Sequence, residues 1–361
     1  MASAVLLEGL HIPLTTPFNA DGSVALDKLA RNVTRYSKTP TAGLIVLGPS
    51  GEPTLLSDDE TRDVLRTAAE AAAPEKVLLA GIARDSVRSV LALADFAAEH
   101  HYDAVLVGVP STFPSTRSDA QARQLLTYFR AIADRSPLPV ILRSTHACPI
   151  STDEIVELAV HPNIIGAIAG PFGAIATGSE TESILRRTAS LKREVVVTTT
   201  FAAVTARMKL VAEAAPTLVS AASLTGSATA IAEPPALTSS LRTRIKSVGF
   251  QLITSNTPKM LEPLNAGAAG IAPAFAAAAP QACYEIYAAW KDGDQPLAEE
   301  KQERVRHAAR IGNEVVGIDI GRLKYACDLN GYAAGLPRLP HLPPTGEQRA
   351  ALEALMQGLR N

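Results

Sequence analysis

The sequence predicts an α/β protein built on a parallel sheet, and two observations support this fold class. Residues 139–170 have the order strand, loop, helix, strand, which is a βαβ unit whose two strands are parallel neighbours. The same alternation of short apolar runs with helical stripes recurs along most of the chain. The apolar runs number eight, and eight parallel strands close a (β/α)8 barrel.

The eight predicted strands are rich in β-branched and apolar residues, as expected for strands that are buried on both faces. They are Leu10–Thr15, Gly43–Leu47, Val77–Ile82, Ala104–Val109, Pro139–Leu142, Ile164–Ile168, Phe250–Ser255 and Gly270–Phe275. Capping boxes, in which a hydroxyl residue stands three positions before Glu or Gln, open helices at Ser57, Ser151 and Thr345. The other predicted helices cover 24–37, 86–99, 119–134, 257–265, 280–291 and 296–314.

Residues 171–248 do not fit the count of eight strands. They contain two further strand candidates, Glu194–Thr199 and Thr217–Ala222, with a helix predicted at 203–214 between them. Their sequence weakly echoes residues 139–170. Either this is a duplicated βαβ unit outside the barrel, or it supplies two of the eight strands and another pair is misplaced.

We predict a (β/α)8 barrel, also called a TIM barrel, with an inserted segment after the sixth strand and a C-terminal helical extension. The barrel covers residues 1–279, including the extra segment at about 171–248, and the helical region covers 280–361.

Composition and charge limit the partners and the location of the protein. The chain has 34 basic and 36 acidic residues, so its net charge of −2 gives no reason to expect nucleic acid or an anionic membrane. The three cysteines, Cys148, Cys283 and Cys327, are too widely spaced for a disulfide framework or a zinc cluster. No apolar run reaches the roughly 18 residues that span a bilayer, and no signal peptide precedes the first strand. We expect a cytoplasmic protein without a metal or cofactor.

Chemistry in a parallel α/β fold is expected just beyond the carboxyl ends of the strands, which here means 143–146 and 168–170. Arg143 follows a buried strand, so it must be paired or face a wet cavity. It is either a bidentate anchor for a substrate carboxylate or a structural partner of an acid such as Glu52 or Asp103. His146 in the same loop is a candidate general acid or base.

Lys259 follows the seventh strand closely enough to reach the barrel mouth, whereas Lys209 and Lys324 are expected to make solvent or tail contacts.

Six segments in the same order resemble a known family. They are HIPLTTPFNADGSV, GLIVLGPSGEPTLLSDDE, LPVILRSTHACP, HPNIIGAIAG, GAAGIAPAF and YAAGLPRLP. They resemble the dihydrodipicolinate synthase and N-acetylneuraminate lyase family of class I aldolases, nearest to its 4-hydroxy-2-oxoglutarate aldolase branch. The resemblance implies a TIM barrel, a homotetramer or homodimer, and a small 2-oxo acid or another acidic or carbonyl substrate. It also implies C–C bond chemistry through a lysine Schiff base.

The residues that carry the family's chemistry are replaced in this chain. Ile168 stands where the sixth strand of the family bears the lysine, and Arg143 stands where the fifth strand ends in a tyrosine. If the later echo were the sixth strand, the lysine position would be Ala222. Isoleucine cannot form an imine, and the guanidinium of arginine stays protonated.

Other family positions are also altered. Ser111 and Thr112 replace paired aromatic residues after the fourth strand, and Pro49 and Ser50 replace two hydroxyl residues. The resemblance implies that the loop from Gly48 to Glu52 binds a carboxylate through its backbone amides and the Ser50 hydroxyl, although Pro49 removes one amide donor. The alternative is an ordinary glycine-rich connection between strand and helix.

We therefore expect a divergent family member that carries out lyase, hydratase or cyclisation chemistry without the lysine imine. Its expected catalytic residues are Arg143, His146 and Ser50. The expected substrate-binding residues are Thr16, Pro49, Ser50, Gly51, Ser111, Thr112 and Ile168. Two alternatives remain open, a non-catalytic ligand-binding or assembly subunit and a class I aldolase whose lysine has moved.

Overall fold

The barrel is closed and parallel, as predicted. A computed structural model describes residues 4–114, 116–144, 149–169, 178–214, 241–309 and 319–359. The barrel strands are β1 Gly9–Pro13, β2 Gly43–Val46, β3 Val77–Gly81, β4 Ala104–Gly108, β5 Val140–Arg143, β6 Ile164–Ala169, β9 Gln251–Thr254 and β10 Gly270–Ile271. Around the barrel they follow the order β1-β10-β9-β6-β5-β4-β3-β2. All eight predicted barrel strands are confirmed.

Helices surround the barrel and continue beyond its last strand. They are α1 Leu26–Ser37, α2 Asp58–Ala71, α3 Val87–Glu99, α4 Asp119–Ala133, α5 Thr152–Ala159, α6 Gly178–Arg187, α7 Ala206–Ala214, α8 Leu261–Asn265, α9 Pro280–Lys291, α10 Gln295–Ala309, α11 Ile320–Leu329 and α12 Gly346–Met356. The capping boxes at Ser57, Ser151 and Thr345 are confirmed. Two helices, α6 and α11, were not predicted.

The extra segment forms a separate two-stranded antiparallel sheet. Its strands are β7 Arg193–Thr198 and β8 Thr243–Val248. The strand predicted at Glu194–Thr199 is thus confirmed, but the interpretation that the segment supplies two barrel strands is wrong. The strand predicted at Thr217–Ala222 lies outside the described residues. Strand β8 was not predicted, because most of its residues are exposed and it has no buried apolar run.

The amino-terminal end of the barrel is covered by the extra segment. The Asp103 carboxylate accepts hydrogen bonds from the backbone N–H of Leu78 at 2.8 Å and of Ala206 at 2.7 Å. Arg207 of α7 donates to the carbonyl oxygens of Ala73, at 3.2 Å, and Lys76. These bonds attach α7 to the end of the barrel where the strands begin.

Side chains from the strands fill the barrel interior, and a larger apolar cluster lies between strands and helices. On β2, Ile45 packs with the interior cluster, while Leu44 and Val46 pack outward against helices. The imidazole of His11 is fully buried, with its Nε2 3.1 Å from the carbonyl oxygen of Leu7. Burial lowers the pKa of His11 from 6.5 to about 4, against the opposing effect of that hydrogen bond.

The C-terminal helices continue the ring. Helix α9 packs against β1 and α10 packs against α9, whereas α11 packs against α12. The division of the chain at residue 279 into barrel and helical region stays a prediction.

Candidate active site

A small cavity of about 50 Å³ lies at the carboxyl ends of the barrel strands. Its described lining consists of Pro13, Ile45, Pro49, Ser50, Leu106, Arg143, Ser144, Ile168, Ser255, Ala272 and Ala274. Arg143 is the only member of this lining that carries a charge. The cavity is therefore an apolar pocket with one cation and a few hydroxyl groups, placed where TIM barrels carry their chemistry.

The sheet register positions Arg143 between a glycine and an isoleucine. Gly108 on β4 and Ile168 on β6 are the register partners of Arg143 on β5. A methyl group at residue 108 would lie 2.5 Å from Arg143 Nη2 and 3.1 Å from its Cζ. Because residue 108 is glycine, the guanidinium can lie across the end of β4. Ile168, where the sequence resemblance places the lysine, packs with the barrel interior.

Arg143 has no acidic partner within the described residues. Burial lowers the pKa of Arg143, and among the described residues Tyr128 is the group that opposes this change. The two acids that could have paired with it are engaged elsewhere, Asp103 with backbone amides and Glu52 with Lys324. The ion-pair interpretation is therefore wrong for both acids. A guanidinium that loses solvation without gaining a counter-charge favours binding of an anion.

Ser50 supplies a second polar group of the cavity. It lies in a 3₁₀ turn over Pro49–Gly51, and its side chain is fully buried. Its Oγ has no hydrogen-bond partner among the described residues. An unpaired buried hydroxyl costs about 1–3 kcal/mol, so a ligand that bonds to Ser50 would relieve that cost.

The other polar groups of this loop form hydrogen bonds that stabilise its conformation. Thr16 Oγ1 donates to the carbonyl oxygen of Gly51 at 2.7 Å. The Gly51 amide donates to the Gly48 carbonyl oxygen at 2.9 Å, and the Glu52 amide donates to the Pro49 carbonyl oxygen at 3.4 Å. Thr16 and Gly51 therefore support the loop, and the amides of Gly51 and Glu52 are already used within it.

A buried ion pair joins this loop to helix α11. Lys324 Nζ lies 2.5 Å from Glu52 Oε1, and both side chains are fully buried. Burial lowers the pKa of Lys324, while Glu52 opposes that change. Lys324 also donates to the Leu336 carbonyl at 3.0 Å and lies over the Phe18 ring. The predicted tail contact of Lys324 is thus an ion pair with the loop that carries Ser50.

Arg338 adds a second connection from the C-terminal segment. Its guanidinium makes a bidentate pair with Glu60, at 2.6 and 2.8 Å, and donates to the carbonyls of Gly22 and Leu55. Its backbone N–H donates to Glu52 Oε2 at 3.0 Å. The segment YAAGLPRLP therefore joins the loops that follow β1 and β2.

The structure brings together only part of the predicted site. Arg143, Ser50, Pro49 and Ile168 line the cavity, whereas Ser111 and Thr112 are exposed and do not. Both the backbone N–H and the Oγ of Ser111 donate to the Asp85 carboxylate at 2.6 Å, which lowers the pKa of Asp85. His146 and Cys148 lie outside the described residues.

No lysine lines the described part of the cavity. The ten lysines of the chain all fall within described ranges, at positions 28, 38, 76, 192, 209, 246, 259, 291, 301 and 324. Lys259 points its mostly exposed side chain to within 3.8 Å of Glu262, and Lys324 is held by Glu52.

Sequence reasoning missed three residues of this region. Ser144 and Ser255 line the cavity, and the backbone N–H of Ile150 donates to Ser144 Oγ at 3.0 Å. Both serines stand at the carboxyl ends of strands, so the strand-end rule could have found them. Tyr128 lies on α4 and donates to the Arg84 carbonyl at 2.8 Å. Nothing in the local pattern placed its hydroxyl near Arg143.

The barrel and its carboxyl-end cavity define a TIM-barrel protein with a small anion-compatible pocket. Residues 6–171 match the model of the dihydrodipicolinate synthetase family. This match covers somewhat less than half of the chain and confirms the resemblance.

Relatives support the same family. A probable mitochondrial 4-hydroxy-2-oxoglutarate aldolase from Emericella nidulans is 33% identical over 46% of this chain and 55% of its own length. A 4-hydroxy-tetrahydrodipicolinate synthase from Acidiphilium cryptum is 26% identical over 98% of this chain and 99% of its own. The chain spans about half the length of the curated relatives that it matches with more than 30% identity.

A solved structure shows the same fold. A prophage protein of the dihydrodipicolinic acid synthase family from E. coli K12, determined in complex with pyruvate, superposes with a TM-score of 0.72. It is 20% identical and covers 98% of this chain and 99% of its own. In the described ranges, no helix has both the length and the apolar character needed to cross a bilayer.

Proposed function

We propose that this protein is a divergent lyase of the family that binds a small carboxylate or 2-oxo acid at the barrel mouth and acts without a lysine imine. One observation carries the proposal. Arg143 and Ser50 line one cavity, and neither has a hydrogen-bond or ionic partner in the described part of the chain. Ile168 completes that cavity at the position where the family places its lysine.

Arg143 and Ser50 suit a carboxylate in complementary ways. The planar guanidinium matches the two carboxylate oxygens, and the Ser50 hydroxyl donates one more hydrogen bond. The apolar walls, among them Ile45, Leu106 and Ala272, exclude water and so strengthen the attraction. The small volume selects for a compact acid.

The same guanidinium can assist a reaction next to a carbonyl group. As negative charge develops on a carbonyl oxygen, a fixed cation stabilises it without having to form an imine. Arg143 does not exchange protons at neutral pH, so the proton must be moved by another group. His146 is the residue we assign to that step, as general acid or base.

One observation favours the alternative of a non-catalytic, ligand-binding subunit. Among the described lining residues, no carboxylate, histidine or lysine is available as a general base. Catalysis therefore depends on His146. If His146 does not move a proton, the cavity binds its ligand without converting it.

The decisive experiment combines trapping with proton exchange. The protein is incubated with pyruvate and borohydride and weighed by mass spectrometry, and we expect no stoichiometric adduct. In parallel, exchange of the pyruvate methyl protons with D₂O is followed by NMR for wild type, Arg143→Gln and His146→Gln.

Each outcome assigns one of the three functions. Exchange that both substitutions abolish supports the lyase, and binding without exchange supports the ligand-binding subunit. A lysine adduct would establish an aldolase with a relocated lysine and overturn the proposal.

Two further expectations are part of this proposal. A homotetramer or homodimer is what the family implies, and sedimentation velocity at several concentrations tests it. A cytoplasmic location is the other, and fractionation of the source cells tests it, since one relative is named as mitochondrial.

A further inference from the structure

A second and larger cavity lies at the opposite end of the barrel. It has a volume of about 610 Å³ and is bounded by α6, β8, α9 and the residues just before β9. That volume is in the range of sites for small organic ligands, roughly 300–1,000 Å³. Because β8 belongs to the extra segment, this amino-end cleft exists only because that segment folds against the barrel.

Positive charge converges on the amino-end cleft from three separate elements. Lys192 precedes β7, Lys246 lies on β8, and Lys291 ends α9. Glu8 is the single acid of the described lining, and it pairs with Lys246. Lys192 and Lys291 have no ion-pair partner within the described residues. Three lysines against one glutamate leave an excess of two positive charges, which matches a phosphate monoester.

Aromatic rings form one wall of the cleft. Tyr287 and Trp290 both line it, with ring centroids 5.6 Å apart. The indole Nε1 donates to Asn265 Oδ1 at 3.0 Å, which fixes the orientation of the partly exposed Trp290 ring. Gly267 and Ala268 also line the cleft and add little bulk to it. The cleft thus offers a stacking surface next to a cationic rim.

We propose that the amino-end cleft binds a phosphate ester that carries a flat ring, the chemistry of a nucleoside monophosphate. The lysines bind the phosphate as point charges, and the flat ring stacks on Trp290. This binding does not depend on the reaction at the barrel mouth, so it stands or falls separately from the proposed lyase function.

Trp290 makes the cleft directly observable, because it is the only tryptophan of the chain. The full chain is titrated with AMP, with adenosine and with inorganic phosphate while indole fluorescence is recorded. We expect AMP to quench Trp290 saturably, with an affinity that falls as salt is added. Adenosine lacks the charge and inorganic phosphate lacks the ring, so we expect each to bind at least tenfold more weakly.

Two matched double variants locate the binding. Lys192→Glu with Lys291→Glu should weaken AMP binding at least tenfold. Lys38→Glu with Lys209→Glu makes the same charge change at exposed lysines outside the cleft and should leave the affinity unchanged.

Three results would overturn the proposal. The first is no quenching by AMP, the second is equal affinity for AMP and inorganic phosphate, and the third is equal loss in both double variants.

Discussion

Two arginines lie at opposite ends of the barrel, Arg207 buried and Arg143 half-buried, and their surroundings differ. Burial lowers the pKa of both. Arg207, at the amino end, donates to two backbone carbonyls and faces the carboxylate of Asp103. Arg143, at the carboxyl end, lies against Gly108, and among the described residues Tyr128 is the group whose charge would offset its burial. The amino-end arginine thus has two carbonyl acceptors and a nearby carboxylate, although its Nε and Nη1 have no hydrogen-bond partner among the described residues. The carboxyl-end arginine has neither a carbonyl acceptor nor a carboxylate there, which is why we propose that it binds a ligand.

The contrast assigns different tasks to the two ends. At the amino end, polar groups attach the extra segment, so their removal should cost stability. At the carboxyl end, Arg143 and Ser50 have no partner among the described residues, whereas Lys324 and Arg338 bind Glu52 in the loop that carries Ser50. Substitutions of Lys324 or Arg338 should therefore lower the stability of the barrel mouth, whereas substitutions of the cavity residues should mainly weaken ligand binding.

The largest effect is expected from Lys324→Met. This change leaves the carboxylate of Glu52 buried without its counter-charge, which costs about 3–5 kcal/mol of unfolding free energy. Urea unfolding measures it. The control is Lys259→Met, which removes an exposed pair and should cost at most about 1 kcal/mol. Equal stability of Lys324→Met and wild type would show that the ion pair of Lys324 with Glu52 does not stabilise the barrel mouth.

The next effect concerns pH at the amino end. The folded pKa of His11 is lowered to about 4, so between pH 6.5 and 4 the unfolded chain binds a proton that the native state does not. Stability should therefore fall by about 3 kcal/mol as pH drops through this range. Comparing urea unfolding at several pH values for wild type and His11→Gln isolates this contribution. If the unfolding free energy of His11→Gln fell with pH as steeply as that of wild type, His11 would not be the group responsible for the loss of stability.

The third prediction compares the arginines directly. Arg207→Met leaves the carbonyls of Ala73 and Lys76 without their donor and removes the positive charge near Asp103, so it should cost about 1–3 kcal/mol. Arg143→Met removes a desolvated cation that has no protein partner, so we expect a change within about 1 kcal/mol and no loss of folding. Chemical denaturation of both variants provides the test. A greater loss of stability in Arg143→Met than in Arg207→Met would reverse the comparison.

The smallest effect is expected from Gly108→Ala. The added methyl group would meet the end of the Arg143 guanidinium at 2.5 Å, which a flexible side chain can relieve by moving. We expect a few-fold loss of carboxylate affinity with little change in stability. Calorimetric titration with pyruvate measures it, and unaltered affinity would mean that the position of the guanidinium across β4 is unimportant.

Local sequence patterns predicted most of the barrel. Its strands are buried on both faces, so each leaves an uninterrupted apolar run, and the helices that follow β2 and β5 begin with capping boxes. The missed elements lack such signals. Strand β8 is largely exposed, and in the described part of α6 only Thr181 and Ile184 are buried.

The candidate site was predictable only where it lies at strand ends. Arg143, Ser50 and Ile168 were found because each follows or ends a strand. The pairing of Glu52 with Lys324 joins residues far apart in the chain, and no local pattern contains it. The same reason explains why Tyr128, on a helix, was missed beside Arg143.

The central claim is that the unpartnered cation of the barrel mouth binds the substrate carboxylate. Calorimetric titration of pyruvate into wild type, Arg143→Met and Arg207→Met tests it most directly. We expect wild type and Arg207→Met to bind with similar affinity and Arg143→Met to bind at least tenfold more weakly, which corresponds to about 1.4 kcal/mol. Pyruvate binding of equal strength in Arg143→Met and wild type would contradict the claim.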